Sequence, residues 1–135
     1  MRFISMVKFT EKDAVPPPKA FLEAMNQLVT DVAKEGCTMV DGVGLLPTSA
    51  GARVRLAGGK VTVMDGPFTE AKEVVGGYAI FEANSNAEMI KCAERFMDLH
   101  RKYLPGWDGE CEIRQIAGPG EKLCEQVHAT ETVAV

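Results

Sequence analysis

The sequence predicts one α+β domain on the ferredoxin-like split βαβ plan, with an antiparallel sheet and an inserted β-hairpin. Three observations carry this. Two amphipathic helical stretches lie among alternating apolar and polar runs, in the order strand, helix, strand, hairpin, strand, helix, strand. The pair Gly58-Gly59 separates two strand-like runs, the two-residue connection that strand twist favours. A chain of 135 residues, 46% hydrophobic and 25% charged, is long enough to bury a core without a metal or disulfide framework.

Each element follows from its residues. Over 2–9, Phe3, Ser5, Val7 and Phe9 alternate with Arg2, Ile4, Met6 and Lys8, the period of a strand. Pro16-Pro17-Pro18 supplies a loop and a proline suited to a first helical turn. Phe21, Leu22, Met25, Leu28, Val29 and Val32 then recur at helical spacing, so 18–35 is a helix ended by Gly36. A strand follows over 38–46, with Gly42 and Gly44 weakening it or marking a bulge. The hairpin 52–57 and 60–65 pairs Leu56 with Val61, Val54 with Val63 and Ala52 with Asp65. That register sets Arg53 and Arg55 on the face opposite the apolar one. A strand over 75–83 leads to Ser85-Asn86-Ala87-Glu88, a capping-box pattern that opens a second helix ending near Pro105-Gly106. The last strand is 110–117. Residues 118–135 show no clear period and form a tail, loosely ordered or docked on a partner subunit.

Composition excludes several classes. The net charge is −4, with 15 Lys+Arg against 19 Asp+Glu and no basic block, which disfavours a phosphate-neutralising nucleic-acid surface. No apolar run reaches the length of a membrane span and the N-terminus lacks a signal-peptide pattern, so a cytoplasmic location without membrane contact is expected. Cys37, Cys92, Cys111 and Cys124 show no CxxC spacing. They read as reduced thiols, and with His100 and His128 as the only histidines no metal site is expected. The chain has no GxGxxG, Walker A, HExxH or GxSxG motif, which argues against nicotinamide, nucleotide-hydrolysing and serine-hydrolase chemistry. No cofactor is expected.

The candidate site residues are few. On a helical wheel His100 falls near the centre of the apolar side of the second helix, either as a satisfied core histidine or as a proton donor or acceptor at a pocket floor. Asp65 and Asp41 are the first carboxylates to test as its partner. Asp65 leaves the hairpin in an Asp-Gly-Pro turn, where it caps backbone amides or binds a polar substrate atom. Asp41 interrupts a strand on the side of Val43 and Leu45, among apolar neighbours or at a bulge open to water. Arg53 and Arg55 share a hairpin face that clamps a carboxylate or simply keeps an edge soluble. Thr69 and Lys72 lie in a turn whose amides and ammonium offer an anion site, unless Lys72 only pairs with Glu70 and Glu73. Trp107 closes the core after the second helix or forms a lid.

The run Asp65-Gly66-Pro67-Phe68-Thr69-Glu70-Ala71-Lys72-Glu73, with Gly76-Gly77-Tyr78 after it, resembles the signature of DGPF-domain proteins, a branch of the YCII-related family. Gly42-Val43-Gly44-Leu45-Leu46-Pro47 and Glu112-Ile113-Arg114 extend the resemblance over most of residues 2–117. It implies sheets paired into a dimeric α+β barrel, hence a homodimer with a cleft per subunit, and adds Phe68 and Tyr78 to the substrate-binding candidates. It also implies a His–Asp pair for acid–base work with the histidine on the first helix. Residues 18–35 hold no histidine, so His100 would have to serve from the second helix. Relatives tend to be encoded beside extracytoplasmic-function sigma factors.

The resulting expectation is a dimeric small-molecule-binding protein that could be an enzyme, with Asp65 and His100 transferring a proton on a small polar or anionic substrate. The alternative is a non-catalytic partner-binding module linked to sigma-factor regulation.

Overall fold

A computed structural model gives the fold and describes residues 1–68 and 72–119. Its strands are β1 (Arg2–Phe9), β2 (Thr38–Gly44), β3 (Ala52–Ala57), β4 (Lys60–Asp65), β5 (Val74–Glu82) and β6 (Glu110–Gln115), and its helices are α1 (Lys19–Lys34) and α2 (Asn86–Tyr103). Single 3-10 turns, Glu11–Asp13 and Thr48–Ala50, sit in the loops after β1 and β2. The expected elements are all present, with ends displaced by one or two residues. The expected tail lies largely outside the described residues.

Both helices stop and start for local reasons. Beyond α1, Gly36 takes φ +98°, while its N–H bonds Ala33 O and the Cys37 N–H bonds Val32 O. Those two bonds are the Schellman arrangement, and Cys37 and Val32 also meet in the core, as that motif favours. At the start of α2, Ser85 Oγ accepts the Glu88 N–H at 3.1 Å and Glu88 Oε2 accepts the Asn84 N–H at 3.2 Å. Donors left over at the helix start are thereby satisfied.

The main sheet has the order β2-β5-β1-β6 with antiparallel neighbours, which is the ferredoxin-like arrangement. Phe3 on β1 is fully buried against Val32 of α1 and Met89 of α2, so the face bearing Phe3, Ser5, Val7 and Phe9 is the one the helices cover. Ile4 and Met6 lie on the opposite, open face, flanked in register by Ile80 and Tyr78 of β5. Charged cross-strand pairs border this open face: Lys8 with Glu112, and Arg2 with Glu82 at 3.1 Å. No helix among the described residues is long and apolar enough to cross a membrane.

The hairpin β3–β4 forms a separate two-stranded sheet in the expected register, Val54 opposite Val63 and Leu56 opposite Val61. Gly58 and Gly59 take φ +57° and +77°, the left-handed pair that a type I′ turn requires. Val54, Leu56, Val61 and Val63 are 62–72% exposed.

Candidate functional site

Between the helices and the main sheet lies a half-open cavity of about 450 Å3, within the size range of small-molecule sites. Its helical wall comes from Phe21, Met25 and Val29 of α1 and Ala93, Phe96 and His100 of α2. Its sheet wall combines side chains such as Val7, Phe9 and Phe81 with a run of glycines towards the β2 edge. Gly42 and Gly44 of β2 stand in register with Ala79 and Gly77 of β5, and Gly77 pairs with Val7 on the helix-facing side. Glycine at these positions removes side chains that would otherwise project towards the helices. The four glycines of the wall differ, however. A Cβ on Gly76 would meet the Phe9 ring at 2.0 Å, one on Gly77 the Val43 carbonyl oxygen at 2.8 Å, and one on Gly42 the Met39 sulfur at 2.8 Å. At Gly44 a Cβ would meet nothing within 4 Å.

Among the described residues no Asp, Glu, Lys or Arg borders the cavity. Two buried polar residues do: Ser5 on β1, 7% exposed, and His100 on α2, 6% exposed. The His100 ring is held by Phe21, Phe96 and Trp107, with ring centroids 4.8, 4.6 and 4.5 Å away. Its Nδ1 lies 3.0 Å from the Phe96 carbonyl oxygen. A carbonyl only accepts, so Nδ1 carries the proton. Burial lowers the His100 pKa, against a smaller raising effect from that carbonyl, and this favours the neutral ring with a lone pair on Nε2. Nε2 has no hydrogen-bond partner among the described residues. No side-chain nitrogen or oxygen there is sealed from solvent without one, so Nε2 looks into open space.

The signature loop lies elsewhere and acts as a clasp. Glu11 accepts both the amide of Thr48, at 2.7 Å, and its hydroxyl. These two bonds hold the Glu11 carboxyl below its usual pKa. Thr48 Oγ1 in turn accepts the Phe68 N–H at 3.2 Å, and the Gly66 N–H bonds Gly51 O at 2.9 Å. The loop comes so close that a Cβ at Gly66 would stand 1.6 Å from the Thr48 carbonyl oxygen. Arg53 caps the assembly, its guanidinium 4.1 Å from the centre of the Phe68 ring. Both Gly66 and Phe68 of the signature thus have structural tasks.

The expected site residues are dispersed. Asp65 ends β4, exposed and without a side-chain hydrogen bond among the described residues, and the structure records no contact between it and His100. Asp41 is exposed beside the bulge in β2 and accepts the N–H of Gly42 at 2.9 Å, which is the water-open alternative. Arg55 and Lys72 are exposed. Tyr78 pairs with Met6 and Val43 and also borders the cavity. Thr69 lies outside the described residues. Trp107 closes one end of the cavity beside Phe9, 6.2 Å between ring centroids. Burial, with Cys92 as hydrogen-bonding neighbour, pushes the Cys37 thiol up to about 12, so it behaves as a packed apolar group. Among the described residues no cluster of His, Cys, Asp and Glu could hold a metal ion. Reading from sequence missed the glycine wall, whose signal was Gly42-x-Gly44 at the strand period together with Gly76-Gly77.

Residues 1–97 match the family profile of the YCII-related domain, the family whose DGPF branch the Asp65–Tyr78 run resembles. Over 79 residues the chain is 34% identical to an uncharacterized protein of Rhizobium meliloti (strain 1021). That match spans 57% of this chain and 60% of the relative's length.

Proposed function

We propose, from the premise that the chain belongs to the YCII-related family, that it is a small-molecule-binding protein whose ligand occupies the cavity between its helices and sheet, and that it acts as a homodimer. The observation that carries the reading is the cavity, about 450 Å3 with largely apolar walls and one buried ring whose Nε2 has no partner among the described residues. An acid–base step by an Asp65–His100 pair needs the two residues to meet. The cavity holds His100 alone, so His100 serves here as the polar anchor and Asp65 belongs to the loop. An anionic ligand also fits these walls poorly, since none of the described bordering residues offers a counter-charge.

The dimer is supported by two apolar surfaces. The open sheet face carries Ile4, Met6 and Ile80, with Val43 44% exposed at its edge. The hairpin exposes four aliphatic side chains on an isolated pair of strands, an arrangement marginal in water without something to cover it. A regulatory partner protein would use the same hairpin. In this reading a second copy does.

The test is fluorescence of N-phenyl-1-naphthylamine, a neutral apolar probe, with the full chain and with Gly44→Leu. The new side chain has room at its Cβ and takes up space at the cavity wall. The probe should brighten with the native chain and stay dim with a folded Gly44→Leu variant. Equal brightening with both places the probe elsewhere and refutes the reading.

A further inference from the structure

If the cavity is the binding site, as proposed, the polar atoms bordering it restrict the chemistry of its occupant. Ligand charge is limited first. A charged group brought among these walls, whose described residues include no Asp, Glu, Lys or Arg, would be desolvated and left unpaired, which is strongly unfavourable. Ligand polarity is limited next. His100 is 6% exposed, and its Nδ1 proton is committed to the Phe96 carbonyl at 3.0 Å. Three aromatic rings within 4.8 Å of its own stop the imidazole from turning over. In the neutral ring Nε2 therefore presents a lone pair in a fixed direction and acts as an acceptor. A pure hydrocarbon would leave that acceptor unsatisfied. A carboxylate would set lone pairs against it.

We propose that the occupant is an uncharged, largely apolar molecule that carries a hydroxyl or N–H group and donates it to Nε2 of His100. Its body lies along α2 from His100 back towards Ala93, a rise of about 10 Å for seven residues, between Val29 and the glycine wall. The buried Ser5 hydroxyl, for which the described residues also supply no partner, offers a second polar point on the sheet side.

The experiment titrates the full chain at pH 7.5 with four matched probes: 4-butylphenol, its methyl ether 4-butylanisole, butylbenzene and 4-butylbenzoate. Affinity is read by calorimetry, and the state of the His100 ring by its 15N resonances. The phenol should bind about tenfold more tightly than the ether or the hydrocarbon, the worth of one hydrogen bond to a buried acceptor. The benzoate should bind most weakly. The Nε2 resonance alone should move on phenol binding, since Nδ1 keeps its carbonyl. His100→Phe should erase the preference for phenol over butylbenzene. The wild-type series decides the matter even where that variant fails to fold. Equal binding of phenol and ether, or preferred binding of benzoate, overturns the ligand class while leaving the cavity reading intact, provided Gly44→Leu abolishes binding. Binding of no probe, or binding that Gly44→Leu leaves unchanged, overturns the cavity reading and this inference with it.

Discussion

Gly66→Ala tests whether the signature loop is a clasp or part of a site. An alanine Cβ would stand 1.6 Å from the Thr48 carbonyl oxygen and 3.3 Å from that of Gly51. The loop must therefore retreat by roughly 1.5 Å to restore van der Waals distance. Such a shift takes two hydrogen bonds out of range, Gly66 N–H to Gly51 O at 2.9 Å and Phe68 N–H to Thr48 Oγ1 at 3.2 Å. At about 1 kcal/mol each, with about 0.5–1 kcal/mol more for Arg53 on the Phe68 ring, the loss is about 3 kcal/mol. Urea unfolding should show it as a lower midpoint at unchanged slope. N-phenyl-1-naphthylamine binding at low denaturant should be preserved. A loss below about 1 kcal/mol would mean that the loop adapts without breaking its bonds. Lost probe binding in a folded variant would move the loop into the site. Either result refutes the reasoning. Asp65→Asn, beside it, should stay within about 0.5 kcal/mol of the native chain.

Three further outcomes are expected. His100 has its pKa lowered by burial, so as pH falls through 6.5 the unfolded chain takes up that proton first. Stability should be full above that pH, fall below it and level off once the folded form is protonated too. Urea midpoints across pH 4–8 check this, and His100→Phe should flatten that part of the curve. Met89→Ala, at the centre of the core and 1% exposed, should cost about 2–5 kcal/mol by the same assay. Val61→Glu on the hairpin's apolar side should shift sedimentation from dimer to monomer with the helical circular dichroism retained, and a native chain that sediments as a monomer at every concentration would refute the homodimer.

The fold was legible wherever a period was strong. The alternation from Phe3 to Phe9 and the spacing from Phe21 to Val32 each allow one partition into faces, and the structure has that partition apart from Leu22, which is 46% exposed. Gly58-Gly59 set the hairpin register because a two-residue turn leaves no freedom for the pairs behind it. His100 was legible as a buried polar group, since its place on the apolar side of α2 follows from helical geometry alone. Its partner was not. The carbonyl that engages Nδ1 is four residues back on the same helix, and backbone groups carry no sequence signal. The clasp was hidden because Glu11 and Thr48 are 37 residues apart with no shared pattern. The cavity was hidden for a different reason. A glycine in a strand announces a missing side chain, but only the packing of Phe9 and Val43 distinguishes the glycines that admit a backbone or a ring from the one that leaves space.

The hairpin's attachment has a consequence for how this protein opens. Among the described residues its strands bond to each other and to no strand of the main sheet, and Glu11, Thr48 and Phe68 help tie them to the body. Such an appendage has its own opening equilibrium, well below the cost of global unfolding. Amides of 52–65 then exchange with solvent water without disturbing β1 or β5. Covering by a second copy would make that local protection rise with protein concentration, while protection in the main sheet stays constant. In that case the hairpin would report self-association residue by residue, under conditions where the core stays folded.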